Sequence, residues 1–156
     1  MRTLLVLAAR FCLTSWVGAA AFFVVTLMRL RYSPLFDEPT KLNHARALFP
    51  LYYTCEFSWL AAALGAAAAS RVVPGVCPPI SRLVVGLAAA TLGIAVTDWL
   101  WVYQPLVEMI AQPMRPPDFA FYHAASTRLN AASLLLCATA AILAQWPAAQ
   151  HIKNAH

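Results

Sequence analysis

Three ionisable residues, Glu56, Asp98 and Arg128, stand inside long apolar stretches of this 156-residue chain. A charge at the centre of a bilayer costs about 2.5 to 3.5 kcal/mol on insertion scales, so such residues turn toward one another or toward a wet cavity. Two readings follow. The residues form a polar pathway or ligand pocket within a helical bundle, or they are a structural ion pair or interfacial residues that snorkel to the headgroups. His123, Ser126 and Asn130 recur at i, i+3 and i+7, which aligns them on one stripe of a helix that faces protein. That stripe either makes interhelical hydrogen bonds, typically worth less than about 2 kcal/mol, or lines a binding site. Arg128 points about 140° away from His123 on the helical repeat.

A metal or haem centre needs imidazoles, thiolates or thioethers to converge. The candidates are His123, His44, Cys55 and scattered methionines, and no pair has ligand-like spacing. Neither cofactor nor metal is expected, and a haem- or metal-binding redox membrane protein using His123 as axial ligand is the competing reading. Cys12, Cys55, Cys77 and Cys137 lie far apart, and three of them fall in apolar stretches where a thiol behaves as a small hydrophobe. They indicate neither a disulfide framework nor a zinc site. No Gly-x-Ser-x-Gly, phosphate loop or His-Glu-x-x-His motif occurs, and the chain is expected not to be an enzyme.

The elements that must position these residues are membrane-spanning helices. Hydrophobic residues make up 62% of the chain against 11% charged, too apolar a balance for a water-soluble domain. Apolar runs at about 4–28, 51–70, 83–102 and 119–143 are each near the length a bilayer core demands. They predict one all-α transmembrane domain over residues 1–156, a four-helix bundle. The first run continues through Phe22-Phe23-Val24-Val25 to Arg29-Leu30-Arg31, longer than a leader peptide and read as an uncleaved span.

Between spans one and two, Lys41, His44 and Arg46 alternate with Leu42, Ala45 and Leu48, which predicts a short amphipathic surface helix. Pro50 opens or kinks span two, with Tyr52 and Tyr53 at its entry. The alanine-rich stretch Leu60 to Ala69 is suited to close helix packing. Pro74-Gly75 and Pro78-Pro79 force spans two and three into an antiparallel hairpin. Trp99, Trp101 and Tyr103 read as an interface anchor, with the helix continuing past Pro105 to Ile110. Asp118 is placed to cap span four, and Trp146-Pro147 to stop it before a short polar tail.

The net charge of +5 comes from eleven basic residues spread over span ends and loops, a pattern that excludes a nucleic-acid face and suits anionic lipid. Five of them fall on each side, Arg2, Arg10, Arg71, Arg82 and Lys153 against Arg29, Arg31, Lys41, Arg46 and Arg115. The positive-inside rule is therefore tied, and only the acidic loop residues lean the termini toward the cytoplasm.

Two segments together carry a resemblance. Trp16-Val17-Gly18 with Phe22-Phe23, then Pro34, Phe36 and Leu48-Phe49-Pro50-Leu51-Tyr52-Tyr53, are followed by His123-Ala124-Ala125-Ser126 with Leu129-Asn130. This pattern resembles the transmembrane protein 205-like family, a domain of unknown function, over about Ser15 to Asn130. Pro105 also sits where that family tends to place a proline. The resemblance implies a small multi-pass membrane protein, with Pro50, Tyr52, Tyr53, His123, Ser126 and Asn130 as its characteristic residues. Asp98 departs from it, because the family more often carries an amide near that position. The expectation is a cell-membrane protein that binds or passes a small solute or ion through a polar inter-helix pocket of Tyr52, Tyr53, Glu56, Asp98, His123, Ser126, Arg128 and Asn130, or that docks a partner. The expected partners are the lipid bilayer and a homo-oligomer or another membrane protein.

Overall fold

A computed structural model describes residues 1–112, 114 and 116–146; Pro113, Arg115, Pro147, Lys153 and the tail to His156 lie outside them. Its helices are α1 (Arg2–Tyr32), α2 (Glu38–Val72), α3 (Arg82–Thr97), a π-helical segment (Asp98–Tyr103), α4 (Gln104–Ala111) and α5 (Phe119–Gln145). There is no strand among the described residues. The segment expected as a separate amphipathic helix is helical, and it runs without a break through Pro50 into α2. Pro50 has no N–H to give, so the Arg46 carbonyl one turn earlier loses its intrahelical donor; one turn later the Pro50 carbonyl accepts the Thr54 hydroxyl at 2.8 Å.

Among the described residues three runs are long and apolar enough to cross a membrane: Arg2–Tyr32, Arg82–Ala111 and Phe119–Gln145. At 35 residues α2 has the length as well, but Tyr52, Tyr53, Glu56 and Ser58 make it the most polar of the long helices. The bundle resolves this by turning Tyr52, Tyr53 and Glu56 inward, while Ser58 is exposed and gives its hydroxyl to the Thr54 carbonyl of its own helix at 2.8 Å. α1 packs on α2 and α5, and α3 packs on α2 and α5, so α2 and α5 face each other across the bundle axis.

The seams keep a coiled-coil spacing of three and four residues. On α2 it runs through Tyr53, Glu56, Leu60, Ala63, Ala67 and Ser70; on α3 through Val84, Ala88, Thr91, Ala95 and then Asp98; on α5 through Ser133, Cys137, Ala140 and Ala144. All are buried. Small residues at most of the positions, alanine above all, let the backbones approach closely and gain dispersion contacts that lipid cannot match.

Arginines tie the helix ends together. Arg2 donates to the carbonyls of Val73 at 2.6 Å and Gly75 at 2.7 Å, Arg10 to Ala144 at 2.7 Å, Arg71 to Ile80 at 2.7 Å, and Arg46 to Ile110 at 2.7 Å. The last carbonyls of a helix lack intrahelical partners and carry the negative end of its dipole, so at Ala144 and Ile110 a guanidinium satisfies both needs; the Gly75 and Ile80 carbonyls belong to the connection between α2 and α3. A Cβ at Gly75 would lie 2.7 Å from Cβ of Arg2, so that clamp requires glycine. The same contacts fix the topology, pairing the start of α1 with the ends of α2 and α5, and the start of α2 with the end of α4. Successive long helices are antiparallel. We call the two ends of the bundle the Arg2 end and the Arg46 end.

At the Arg46 end, Asp37 caps α2 by accepting the Thr40 N–H at 3.1 Å. Hydrogen bonds from the side chain and backbone of Thr40 hold the Asp37 carboxyl below its usual range. A carboxyl whose folded-state pKa is lowered contributes stability above its unfolded pKa, and that stability is lost as pH falls through the folded value. Asp118 sits at the matching position before α5 but makes no side-chain cap bond. Acidification through the folded-state pKa of Asp37 is therefore expected to lower the protection of the Thr40 amide, its exchange rate relative to the unfolded rate at the same pH, in the wild type. Asp37→Ala should show low protection at every pH, with Asp37→Asn close to wild type at neutral pH. Equal protection in all three proteins would refute the cap.

Candidate functional site

The site begins with a break in helix geometry. Pro105 lacks an N–H, and its ring crowds the carbonyl one turn back. The preceding six residues relax into a π-helical segment, in which the Gln104 N–H bonds to the Trp99 carbonyl five residues earlier. Such widened turns recur at functional sites. In an ordinary α-helix residues five apart diverge by about 140°; the wider turn brings Asp98 and Tyr103 inward together, and both are buried. Trp99 stacks on Tyr103 with centroids 5.0 Å apart, and both rings pack on Tyr53 at 4.8 Å. The expected interface anchor is thus divided: Trp101 faces outward at 69% exposure, while Trp99 and Tyr103 wall the interior.

Three donors converge on one oxygen of Asp98. Its Oδ2 accepts the Tyr53 hydroxyl, the Ser126 hydroxyl at 3.2 Å and the Asn130 amide at 2.5 Å. Asn130 also donates to the Ser126 carbonyl at 3.0 Å, which locks its orientation. Across the bundle axis, Oε1 of Glu56 accepts the Ser133 hydroxyl at 3.0 Å. Asp98 and Glu56 are each 1% exposed and lie within electrostatic range of each other. The other oxygen of each, Oδ1 of Asp98 and Oε2 of Glu56, is buried with no hydrogen-bond partner among the described residues. No Lys, Arg or His among those residues lies within ion-pair distance of either carboxyl; the ion pairs present are Arg31–Glu38 and Lys41–Glu38 at the surface.

The eight residues expected to line a pocket therefore separate. Tyr53, Asp98, Ser126 and Asn130 meet in one network, and Glu56 lies beside it. Tyr52 is buried next to them, 5.2 Å from Trp16 and 4.5 Å from Phe23 by ring centroids, and makes an edge contact with Tyr53. His123 is exposed and stacks on Phe119. Arg128 is exposed and has no ion pair with Asp98 among the described residues, so the structural Asp98–Arg128 pair considered from sequence is not formed. Its place on α5 is the reason, since it lies off the stripe that carries Ser126 and Asn130.

Sequence reasoning missed Ser133, the partner of Glu56. It continues the stripe of His123, Ser126 and Asn130 by one further step of three, and extending the repeat would have found it. Among the described residues no group of three or more His, Cys, Asp or Glu side chains could hold a metal ion, and all four cysteines are free.

Removing the Tyr53 hydroxyl leaves a buried acceptor short of a donor, a loss of about 1 to 3 kcal/mol. Tyr53→Phe should lower thermal stability in mild detergent. In a double-mutant cycle with Asp98→Ala, which removes the acceptor, the two changes should couple by about 0.5 to 3 kcal/mol. Additive effects would show that the bond carries no weight.

No family model, curated protein or solved structure matches the chain.

Proposed function

We propose that this chain is a non-enzymatic multi-pass membrane protein that binds a small cation, the proton included, between its spans at Glu56 and Asp98. One observation carries the reading: two buried carboxyls, each with an oxygen that has no hydrogen-bond partner among the described residues, share an apolar bundle in which no described Lys, Arg or His lies within ion-pair distance of either. An isolated carboxylate in such a medium is so costly that it is neutralised by a proton or a bound cation. Asp98 is roughly 24 Å along the helix that starts at Arg82, at a rise of about 1.5 Å per residue. This puts it near the middle of the 30-residue run. Carboxyls at that depth are expensive and are kept where ions are handled. The resemblance to the transmembrane protein 205-like family belongs to this proposal, supported by the meeting of its characteristic Tyr53, Ser126 and Asn130 at one carboxyl.

An ion held by the folded chain and not by the unfolded one stabilises the fold, by about 2.7 kcal/mol at a hundred times its dissociation constant. Melting temperature in detergent is therefore expected to rise with sodium or potassium, or with proton concentration as pH falls. Glu56→Gln/Asp98→Asn should abolish the response. The other titratable groups at the site are Tyr52 and Tyr53 from α2, Tyr103 from the π segment and Cys137 from α5; α1 supplies Trp16 against Tyr52. These groups and Asp37 are present in both proteins, so only the difference between them is read. An identical response in the double variant would refute the proposal.

A second reading, docking of a partner helix, rests on Arg128. It is exposed on a span beside Asn130, level with Asp98, with no ion pair among the described residues. An acidic residue on the partner would neutralise it. Arg128→Leu should then reduce cross-linking to the partner in native membranes and leave the cation response intact.

A further inference from the structure

We infer that the Glu56–Asp98 site communicates with one membrane face only, the one at the Arg46 end, and is sealed from the other. This rests on the cation-binding reading and adds the direction of access.

The two halves of the bundle differ in chemistry. From Asp98 toward the Arg2 end every seam position is buried and nearly all are apolar: Leu60, Ala63 and Ala67 face Ala95 and Ala88, with Cys137 and Ala140 opposite. The polar side chains buried there, Thr91 and Ser70, give their hydroxyls to the carbonyls of Leu87 at 2.8 Å and Ala67 at 2.7 Å in their own helix. They offer no continuous polar route. An ion crossing that half would have to leave every polar contact behind.

Toward the Arg46 end the packing loosens. α5 has no buried residue before Ser133, and α1 has none after Ala20. The α5 stripe changes from alanine to Ser133, Asn130, Ser126 and then exposed His123. These groups give one polar line from the surface to both carboxyls, since Ser126 and Asn130 bond Asp98 and Ser133 bonds Glu56. On the other flank the rings of Phe49, Tyr103, Trp99 and Tyr53 pack against one another, which confines the route to the α5 side. The arrangement is a half-channel ending at the carboxyl pair.

Thiol accessibility in proteoliposomes tests this. Native Cys77, in the connection between α2 and α3, marks the Arg2 end. Ser126→Cys is made in a chain whose Cys12, Cys55 and Cys137 are replaced by alanine. A membrane-impermeant maleimide added outside should label each molecule once, at position 77 or at position 126 according to its orientation, and twice only after detergent is added. Double labelling in intact vesicles, or no labelling at position 126 from either side, would overturn the inference. Wild-type protein gives an arm that does not depend on the variant's folding: Cys137, one turn beyond Ser133 on the sealed side, should resist the reagent from both faces, and its labelling would overturn the inference. A one-sided pattern with no cation-dependent stability would retire the ion reading and keep the access route. The reverse combination would retire the route alone.

Discussion

The bundle is organised around the cost of keeping two carboxyls out of water with no base beside them. In hydrocarbon every polar group must be satisfied within the protein, and Asp98 meets this by collecting Tyr53, Ser126 and Asn130 on one oxygen. Those partners come from α2 and α5, on opposite sides of the bundle, so one side chain from the α3 run fixes how three helices are rotated. Glu56 and Ser133 repeat the arrangement between α2 and α5. The remaining unpartnered oxygens are what packing does not explain, and they are why the site reads as a place to hold an ion.

Two prolines make this geometry available. Pro105 favours the wider turn that sets Asp98 and Tyr103 facing inward, and Pro50 lies one short step before Tyr52 and Tyr53. The aromatic rings then fill the enlarged space near the π segment, from Phe49 through Tyr103 to Trp99 and Tyr53. Below this level the small-residue seams are buried, and their polar members Thr91 and Ser70 bond carbonyls of their own helices. The result is a structure with two chemistries stacked along one axis, polar and aromatic toward one membrane face, small and apolar toward the other.

Much of this was legible in the residues. Long apolar runs require helices in a bilayer, and the i, i+3, i+7 recurrence of His123, Ser126 and Asn130 identified the inward stripe of α5, though His123 itself emerges at the surface. The unreadable parts depend on tertiary contact. A π segment follows from proline only when neighbours reward the inward turn. The arginines looked like lipid contacts because nothing local announces that Arg10 will reach the end of α5 or Arg46 the end of α4. Their use as clamps also accounts for the tied positive-inside count, since several are placed by helix ends and not by membrane potential. Arg128 and Asp98 looked like natural partners by charge alone, but helical phase turns them to different faces.

The most direct test of the account is infrared difference spectroscopy of the carboxyl groups in lipid-reconstituted protein, recorded as pH and then sodium or potassium are varied. The account predicts a carboxyl band that changes with one of these ions and disappears in Glu56→Gln or Asp98→Asn. Bands of Glu56 and Asp98 that stay those of fixed carboxylates under every condition would contradict it.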